Sequence, residues 1–361
     1  RGIKVQVGGT NCMRNILITA GGSGGHLYPA LAVANAFLEK GYQVYLLTSK
    51  KRPAKINFGD IRVIEGSSIG WDRTLPGLFK TSWSLIKDAI LSFRILKKIR
   101  PLLILGMGGY VSIAPILVAY ILGIPRAIHE QNIIPGLANR LLAPFVSRIF
   151  VSFPDTNFGI FQSKVIYTGL PLRKELYSVK PSEHDKFTVL IMGGSQGARV
   201  INETVLELVE KQMINDVRFI HITGTRDFNR LKERIEKIKS HDYEVYSYRE
   251  DVWTLYQEAD LVISRAGAGS VIELATVNIP AILIPYKGAE GHQYLNAKWL
   301  MENGMGVIID QSQLSANYLA EKIQELKLMS QSEEVQHRSK GINLPNASYR
   351  IVEEALKIIG G

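Results

Sequence analysis

The sequence predicts an α/β protein with two doubly wound domains that face each other across a cleft. Short β-branched runs alternate with helical patterns along the chain, which is typical of parallel sheets covered by helices on both faces. A strand, a glycine loop and a helix open each half of the chain, near residues 15 and 188. The length of 361 residues suits two domains of ordinary size. Each half is therefore expected to be Rossmann-like.

The predicted strands are short runs of β-branched and other apolar side chains. In the first half they are residues 15–20, 43–48, 61–65, 102–106, 126–129, 148–152 and 165–168. In the second half they are residues 188–192, 218–222, 244–248, 261–264, 281–285 and 306–309. Helical patterns occupy most of the intervals between them, including residues 29–39, 198–211 and 292–302.

The polar stretch 174–186, which contains Pro181, is predicted to link the two domains. A last helix is predicted over residues 349–359, and it could pack on either domain. The sequence alone therefore divides the chain near its middle but does not assign the last helix to either domain.

One uncharged stretch, residues 102–125, is long enough to raise the question of a membrane span. Glycines at positions 106, 108 and 109 and Pro115 interrupt it, however. It is therefore expected to form a buried strand, a loop and a helix.

The net charge of +10 is unevenly distributed. Residues 1–175 contain 22 Lys and Arg against 8 Asp and Glu, whereas residues 176–361 contain 21 against 25. A basic half joined to a mildly acidic half suggests that one half faces a polyanion, which could be nucleic acid, anionic lipid or a phosphorylated substrate. No recognised nucleic-acid motif is present, so nucleic acid is not expected as a partner.

Three glycine-rich or small-residue turns follow predicted strands, at residues 21–26, 193–199 and 266–270. In open parallel sheets ligands bind beyond the carboxyl ends of the strands, and exposed N–H groups at a helix start attract anions. A single loop of this kind could be a tight turn without a ligand. Matched loops in both halves favour a ligand in the cleft, with a diphosphate on the amides and Glu273 accepting hydrogen bonds from a ribose.

Several polar side chains are expected at the mouth of the cleft. His26 follows the first glycine loop, and its near-neutral pKa would suit a general base, although it could also cap a turn. Residues 129–132, His-Glu-Gln-Asn, end a buried strand. His292, Gln293 and Asn296 begin a helix, where amides could contact sugar hydroxyls or could merely be the usual polar residues of a helix start.

Sequence motifs for a metal or an organic cofactor are absent. No two aspartates have the Asp-x-Asp spacing, and Cys12 is the only cysteine, so no Cys/His cluster exists. We therefore expect neither metal nor cofactor, and helix N-termini and hydroxyls would stabilise a departing diphosphate.

Residues 75–100 predict a helix with three distinct faces. A basic stripe contains Lys80, Lys87, Arg94 and Lys98. An adjacent apolar stripe contains Phe79, Trp83, Ile86 and Ile90, and a third face, expected to contact the core, contains Leu78, Leu85, Ala89, Phe93 and Leu96. The apolar and basic stripes fit a helix that lies on a membrane, and they also fit a core face beside a solvated row of charges.

Taken in order, these motifs resemble those of the MurG family, the bacterial peptidoglycan N-acetylglucosaminyltransferases. The resemblance extends from residue 13 to the C-terminal helix. It rests on Gly21-Gly-Ser-Gly-Gly-His26, Gly106-Met-Gly-Gly-Tyr-Val-Ser112, His129-Glu-Gln-Asn132, Gly193-Gly-Ser-Gln-Gly-Ala198 and Ser264-Arg-Ala-Gly-Ala268 with Glu273.

The resemblance implies the GT-B fold and an inverting, metal-independent transferase. Residues 13–173 with 346–361 would form the N-terminal domain, which takes the acceptor and meets the membrane, and residues 174–345 would bind the UDP-sugar. The enzyme would move N-acetylglucosamine from UDP-N-acetylglucosamine to the muramyl 4-hydroxyl of undecaprenyl-diphosphate-linked muramyl pentapeptide (lipid I), giving lipid II for peptidoglycan. It would act peripherally on the anionic cytoplasmic face of the bacterial cell membrane, where a cell-wall synthesis or division complex could be its partner.

The resemblance also assigns roles to individual residues. The donor would be contacted by Ser23, Gly24, Gly25, Asn132, Arg173, Ser195, Arg249, Ala268, Gly269, Ser270, Glu273 and Gln293. The acceptor would be contacted by Gly109, Tyr110 and His129. Catalysis would involve His26, the candidate base, and Glu130. The membrane would be met by Phe79, Lys80, Trp83, Lys87, Arg94 and Lys98.

Two positions depart from the family pattern. Ser23 replaces a common threonine and keeps the hydroxyl, and His292 stands where a second glutamine often precedes Gln293, which puts that sugar contact in doubt. A UDP-sugar diacylglycerol glycosyltransferase shares this fold and donor chemistry and remains an alternative. An NADP-dependent oxidoreductase fits less well, because residues 21–26 lack the Gly-x-Gly-x-x-Gly spacing. A membrane-surface binder without catalysis would not need three phosphate-type loops.

Overall fold

The computed structural model describes residues 14–49, 57–66, 75–194, 197–288, 291–330 and 346–360. For residues 75–86 it describes the helical backbone but not the side chains. The predicted donor residue Ser195 and the side chains of Phe79, Lys80 and Trp83 therefore lie outside what is described.

Seven parallel strands form the sheet of the N-terminal domain. They are β1 (Asn15–Ala20), β2 (Gln43–Ser49), β3 (Arg62–Gly66), β4 (Leu103–Gly106), β5 (Arg126–Glu130), β6 (Arg148–Val151) and β7 (Val165–Tyr167). Their spatial order is β3-β2-β1-β4-β5-β6-β7. The helices of this half are α1 (Gly24–Glu39), α2 (Leu75–Ile99), α3 (Ile113–Ile121) and α4 (Leu137–Leu142).

Six parallel strands form the second sheet. They are β8 (Phe187–Met192), β9 (Val217–Ile222), β10 (Tyr243–Tyr246), β11 (Leu261–Ser264), β12 (Ala281–Leu283) and β13 (Gly306–Ile308), in the order β10-β9-β8-β11-β12-β13. The helices are α5 (Arg199–Glu210), α6 (Thr225–Lys237), α7 (Val252–Gln257), α8 (Ala268–Val277), α9 (His292–Glu302) and α10 (Ala316–Ser330). The prediction of two doubly wound, Rossmann-like domains is confirmed.

Both sheets reverse their strand order beside their first strand. β1 pairs with β2 on one side and β4 on the other, and β8 pairs with β9 and β11 in the same way. A crevice opens outside the carboxyl ends of the strands at such a switch point. The loops that leave β1, β4, β8 and β11 therefore lie where a ligand can bind.

Most predicted element boundaries agree with the structure to within one or two residues, but α1 is an exception. It begins at Gly24, five residues before the predicted start, and includes Pro29. Pro29 lies in the second turn of α1, where it cannot donate the hydrogen bond that residue 29 would otherwise make to the Gly25 carbonyl. His26 consequently belongs to the first helical turn. The uncharged stretch 102–125 forms β4, a loop and α3, as predicted.

The last helix, α11 (Ala347–Ile359), packs against α1 of the N-terminal domain. Ile351, Val352 and Ala355 are fully buried in the same apolar cluster as Leu27 and Phe37. The chain thus returns to the first domain after completing the second.

Replacing Ile351 by alanine should destabilise the N-terminal domain, because the side chain is fully buried. The expected loss in the free energy of unfolding is about 2–4 kcal/mol, measured by urea denaturation followed by circular dichroism. Lys357→Ala, which removes an exposed ion pair with Glu354 on the same helix, should change it by less than about 0.5 kcal/mol. Equal effects of the two substitutions would contradict this packing.

Candidate functional site

The ring of His26 lies between two glycine loops of the N-terminal domain. A Cβ on Gly21 would lie 2.9 Å from Nδ1 of His26, and a Cβ on Gly108 would lie 2.8 Å from Cδ2. Gly108 also has a φ of +92°, which side chains rarely adopt. The Gly21 N–H donates to the Gly108 carbonyl over 3.1 Å, which ties the loop after β1 to the loop after β4. Glycine is therefore required on both sides of the ring.

His26 has the properties of a base that is neutral at physiological pH. Burial lowers the pKa of His26 below its ordinary value of 6.5. The Nδ1 atom lies 2.9 Å from Oγ of Ser23. When Nδ1 carries the proton and donates it to Ser23, Nε2 is left with a free lone pair.

Tyr110 lies beside this slot and is 40% exposed. Gly109 precedes it with a φ of +81° and packs against Gly21, where a Cβ would meet the Gly21 Cα at 3.1 Å. The loop after β4 therefore places the Tyr110 backbone directly after a glycine that packs on the loop carrying His26, and the Tyr110 side chain is partly exposed.

His129 differs from the expectation of an acceptor contact. It is fully buried at the end of β5, and its Nε2 atom donates to the Gly169 carbonyl over 3.1 Å. Burial lowers the pKa of His129 to about 4. Its Nδ1 atom accepts from the Gln131 amide, which also donates to the Met107 carbonyl in the loop after β4. His129 therefore supports the glycine loop from behind and does not reach the cleft.

Glu130 also differs from its predicted role as a catalytic residue. Its side chain is 2% exposed, and both carboxylate oxygens accept hydrogen bonds from its own loop. Oε1 accepts from the Asn132 N–H over 2.9 Å, and Oε2 accepts from the Gly136 N–H and the Asn139 amide over 2.9 and 2.8 Å. This geometry makes Glu130 a positioning residue for the loop that carries Asn132.

Asn132 lies at the boundary between the domains. Its side-chain oxygen accepts from the amide of Asn296 on α9 over 3.2 Å, and the Ile133 N–H donates to Asn296 over 3.3 Å. His292 Nδ1 lies 3.0 Å from the Ile134 carbonyl. The loop after β5 and the start of α9, both expected to contact the donor sugar, thus meet across the cleft.

The N-terminus of α8 forms the third predicted phosphate site. The helix begins at Ala268, with Gly269 and Ser270 in its first turn. Glu273, one turn further on, accepts a hydrogen bond from the Tyr256 hydroxyl over 3.0 Å. Burial raises the pKa of Glu273. A partly buried carboxylate beside exposed helix-start amides is suited to bind a ribose next to a diphosphate.

Arg173 contacts both domains near this site. Its guanidinium lies 4.1 Å from the centroid of the Tyr28 ring on α1 and 5.7 Å from that of Trp253 on α7. It also donates to the Glu250 carbonyl over 2.6 Å, and the Tyr28 and Tyr248 hydroxyls are 3.1 Å apart. The guanidinium therefore stacks on aromatic rings that come from both domains.

Two other predicted donor residues are held by neighbours. The Gln293 side-chain oxygen accepts from the Tyr286 N–H over 2.9 Å, so its NH₂ group is the end that can serve a sugar hydroxyl. Arg249 makes two 2.7 Å hydrogen bonds to Asp251. Because this ion pair engages the side chain, the backbone of Arg249 is the part left to contact a donor.

An apolar surface with basic neighbours lies on the outside of the N-terminal domain. Phe93 was assigned to the core face of α2, but it is 46% exposed, whereas Ser92, Leu96 and Ile99 are buried. The reason is that α2 packs on α3, which selects a face rotated from the expected one. Among the described side chains of these two helices, Ile90, Leu91, Tyr120 and Ile121 are also apolar and exposed, and Lys87, Arg94 and Lys98 are exposed on α2.

Metal-ligand clusters and membrane-spanning helices are both absent from the described part of the chain. Within it, no group of three or more His, Cys, Asp and Glu side chains is arranged to hold a metal ion. No described helix combines the length and the apolar character needed to cross a bilayer.

Sequence reasoning missed Gln131 and Tyr28. Gln131 links His129 to the loop after β4, and Tyr28 stacks under Arg173. Gln131 belongs to the His129-Glu-Gln-Asn132 motif, but nothing in the sequence indicates that its side chain is buried. Tyr28 follows His26 by two residues, which places it on the other side of α1, and its partners come from distant parts of the chain.

Comparisons with known proteins agree in both halves of the chain. Residues 16–151 match the glycosyltransferase family 28 N-terminal domain, and residues 188–351 match the glycosyltransferase family 28 C-terminal domain.

Several relatives of similar length carry the name UDP-N-acetylglucosamine–N-acetylmuramyl-(pentapeptide) pyrophosphoryl-undecaprenol N-acetylglucosamine transferase. The protein of that name from Lawsonia intracellularis is 37% identical over 85% of this chain and 87% of its own length. The one from Shewanella frigidimarina is 34% identical over 94% and 95%. The crystal structure of Acinetobacter baumannii MurG has a TM-score of 0.74 and 27% identity, and covers 95% of this chain and 99% of that one.

Acid should destabilise the protein through His129. Its pKa is about 4 when folded and about 6.5 when exposed, so between these values the unfolded state binds a proton that the folded state does not. The free energy of unfolding should therefore fall as the pH drops from 6.5 towards 4, by about 2 kcal/mol at pH 5 from this group. Urea denaturation of His129→Gln at pH 7 and pH 5 should show a correspondingly smaller difference.

The matched control is Ser152→Ala, which removes a buried hydroxyl that donates to the Glu130 carbonyl but has no titrating group. It should lower the free energy of unfolding equally at both pH values. If the free energy of unfolding of His129→Gln depends on pH just as that of the wild type does, the low pKa does not belong to His129.

Proposed function

Because the chain belongs to glycosyltransferase family 28, and within it to the UDP-N-acetylglucosamine–N-acetylmuramyl-(pentapeptide) pyrophosphoryl-undecaprenol N-acetylglucosamine transferases, we propose that it converts lipid I to lipid II with UDP-N-acetylglucosamine as donor. The resemblance of its motifs to the MurG family, and the GT-B fold expected from it, are confirmed. The observation that carries the proposal is a histidine of lowered pKa held between two glycine loops of the N-terminal domain, in a chain whose second domain offers the helix-start amides of α8.

The C-terminal domain is suited to bind the nucleotide. The amides at the start of α8 would receive the diphosphate, and Glu273, already held by Tyr256, would accept hydrogen bonds from the ribose. Asn132 and Gln293 would contact the sugar hydroxyls from opposite sides of the cleft. Arg173 would have to leave its stacked position between Tyr28 and Trp253 to reach a phosphate.

The reaction is a single displacement. The acceptor 4-hydroxyl oxygen forms a bond to the anomeric carbon of the sugar while the bond from that carbon to the UDP oxygen breaks. The hydroxyl proton passes to Nε2 of His26, whose Nδ1–H donates to Ser23. The electron pair of the broken bond leaves on UDP, whose charge the helix-start amides stabilise. Attack opposite to the leaving group inverts the α donor to a β product.

The exposed apolar side chains of α2 and α3 are suited to contact the membrane that carries the acceptor. Ile90, Phe93, Tyr120 and Ile121 offer apolar area, and the basic side chains of α2 beside them would attract anionic lipid headgroups. The protein would therefore act as a peripheral protein on an anionic bilayer, with its N-terminal domain towards the lipid. A complex with other cell-wall or division proteins is compatible with this orientation.

The proposed function is tested by binding and by transfer. Thermal stabilisation should be selective for UDP-N-acetylglucosamine over UDP-glucose, UDP-N-acetylgalactosamine and NADPH. The pure protein should then transfer N-acetylglucosamine to a lipid I analogue and not to diacylglycerol. A selective shift with UDP-glucose and transfer to diacylglycerol would favour the alternative lipid glycosyltransferase, and a shift with NADPH alone would refute the transferase function.

Replacing His26 by alanine should reduce kcat for transfer by about 10²–10⁴-fold, because the hydroxyl proton loses its acceptor. The KM for UDP-N-acetylglucosamine should change by less than about threefold, since binding energy comes mainly from the other domain. His184→Ala, in the linker region and bonded to the Lys186 carbonyl, is the control and should retain wild-type turnover. Near wild-type kcat in His26→Ala would exclude His26 as the base.

Replacing Ile121 by aspartate should weaken binding to vesicles that contain phosphatidylglycerol. Ile121 is 79% exposed, and its burial in lipid should contribute about 1.5–3 kcal/mol, or roughly tenfold or more in affinity. The matched control is Leu328→Asp on α10 of the C-terminal domain, where the leucine is 69% exposed. Equal losses in vesicle co-sedimentation for both variants would contradict the proposed orientation on the membrane.

A further inference from the structure

A chain of buried polar side chains crosses the C-terminal domain behind its glycine loop. The Tyr243 hydroxyl lies 2.9 Å from Nδ1 of His221, and Nε2 of His221 lies 3.0 Å from Oδ1 of Asn202. The Asn202 amide in turn donates to the Thr223 carbonyl and to Asp227 Oδ2, both over 2.8 Å. His221 and Asn202 are fully buried.

The direction of each hydrogen bond in this chain is fixed. The Asn202 NH₂ group faces two oxygens that can only accept, so its Oδ1 atom faces His221 and accepts from Nε2. Burial lowers the pKa of His221 to about 3, so the ring is neutral, with one donor and one acceptor nitrogen. Since Nε2 donates to Asn202, Nδ1 accepts from the Tyr243 hydroxyl, which keeps its proton because burial raises the pKa of Tyr243.

The glycine loop after β8 rests on the Asn202 end of this chain. Gly197 has a φ of +87°, and a Cβ on it would lie 2.3 Å from the Thr223 carbonyl oxygen, 3.1 Å from Asp227 Oδ2 and 3.4 Å from the Asn202 amide nitrogen. The backbone N–H of Asn202 also donates to the Ala198 carbonyl over 2.9 Å. The polar atoms that contact Gly197 therefore determine the position of Gly197 and of the first turn of α5.

The N-terminal domain contains a comparable arrangement. There the neutral, buried His129 orients Gln131, which holds the Met107 carbonyl of the loop after β4. The two arrangements come from unrelated positions in the two sheets. In both, an uncharged histidine fixes a side-chain amide that bonds to the backbone of a loop facing the cleft.

We propose that Asn202, oriented by His221 and Tyr243, is a positioning residue for the donor diphosphate. It would hold Gly197, Ala198 and the start of α5 in the position where backbone N–H groups of this segment can donate to the phosphate oxygens. The inference rests on the proposed function and goes beyond it by assigning donor affinity to residues that do not contact the donor. Because the acceptor loops belong to the other domain, loss of this support should affect the donor and spare the acceptor.

The test compares substitutions along the chain with a control of similar burial. Asn202→Ala removes the support itself, and Tyr243→Phe removes only the far hydroxyl. Asp227→Ala removes the acceptor of the Asn202 amide, whereas Asp227→Asn keeps an oxygen that can accept. Thr188→Val is the control, because it removes a buried hydroxyl from the opposite end of β8, where it donates to the Lys186 carbonyl.

For each variant the Kd for UDP, the KM values for UDP-N-acetylglucosamine and for a lipid I analogue, and the Tm are measured. Asn202→Ala should raise the Kd for UDP and the donor KM by about tenfold or more, since small displacements of a binding loop are costly, and should change the acceptor KM by less than about twofold. Tyr243→Phe should raise the donor values by about two- to threefold. Asp227→Asn should keep most of the donor affinity that Asp227→Ala loses.

Thr188→Val should lower the Tm and leave donor binding unchanged. If Asn202→Ala behaves in the same way, the proposal is overturned. An equal rise in donor and acceptor KM would also overturn it. If Asn202→Ala does not fold, Tyr243→Phe decides, because an unchanged Kd for UDP in that variant contradicts the inference. Failure of the wild-type protein to bind UDP would instead refute the proposed function itself.

Discussion

The imidazole of His26 occupies a slot that has no room for a β-carbon on either side, and the geometry of the cleft follows from that fit. Gly21 and Gly108 come from the two loops that flank the switch point of the first sheet, and their direct hydrogen bond holds them together around the ring. Any side chain there would displace the ring or the backbone. The same close packing partly buries the histidine and lowers its pKa, which favours the neutral form that a general base requires.

Burial of polar groups behind the cleft is a second constraint of the same kind. His129, Glu130 and Asn202 are all buried, yet each has hydrogen-bond partners that face the loops in front. An unsatisfied buried polar group would cost about 1–3 kcal/mol, whereas a satisfied one fixes the orientation of its neighbours. The residues that touch substrate can therefore lie on loops and still be held firmly.

The sequence predicted the fold well because strands buried on both faces and glycine turns after them are visible as local patterns. It also identified which loops meet, since the carboxyl ends of parallel strands share one edge. It did not indicate that the side chains of His129 and Glu130 are buried, because a strand buried on both faces gives no periodicity to tell whether a side chain at its end turns inward. It failed for Phe93 because the core face of α2 depends on packing against α3. Contacts such as that of Asn132 with Asn296 depend on how two domains dock, which no local pattern records.

The central claim is that a neutral His26 accepts the proton of the attacking hydroxyl, and the pH dependence of kcat for N-acetylglucosamine transfer tests it most directly. We expect kcat to fall on the acid side with an apparent pKa below 6.5, because protonation removes the base. In His26→Gln the remaining activity should lose this acid limb. An unchanged acid limb in His26→Gln, or a wild-type kcat that is flat through this range, would contradict the account.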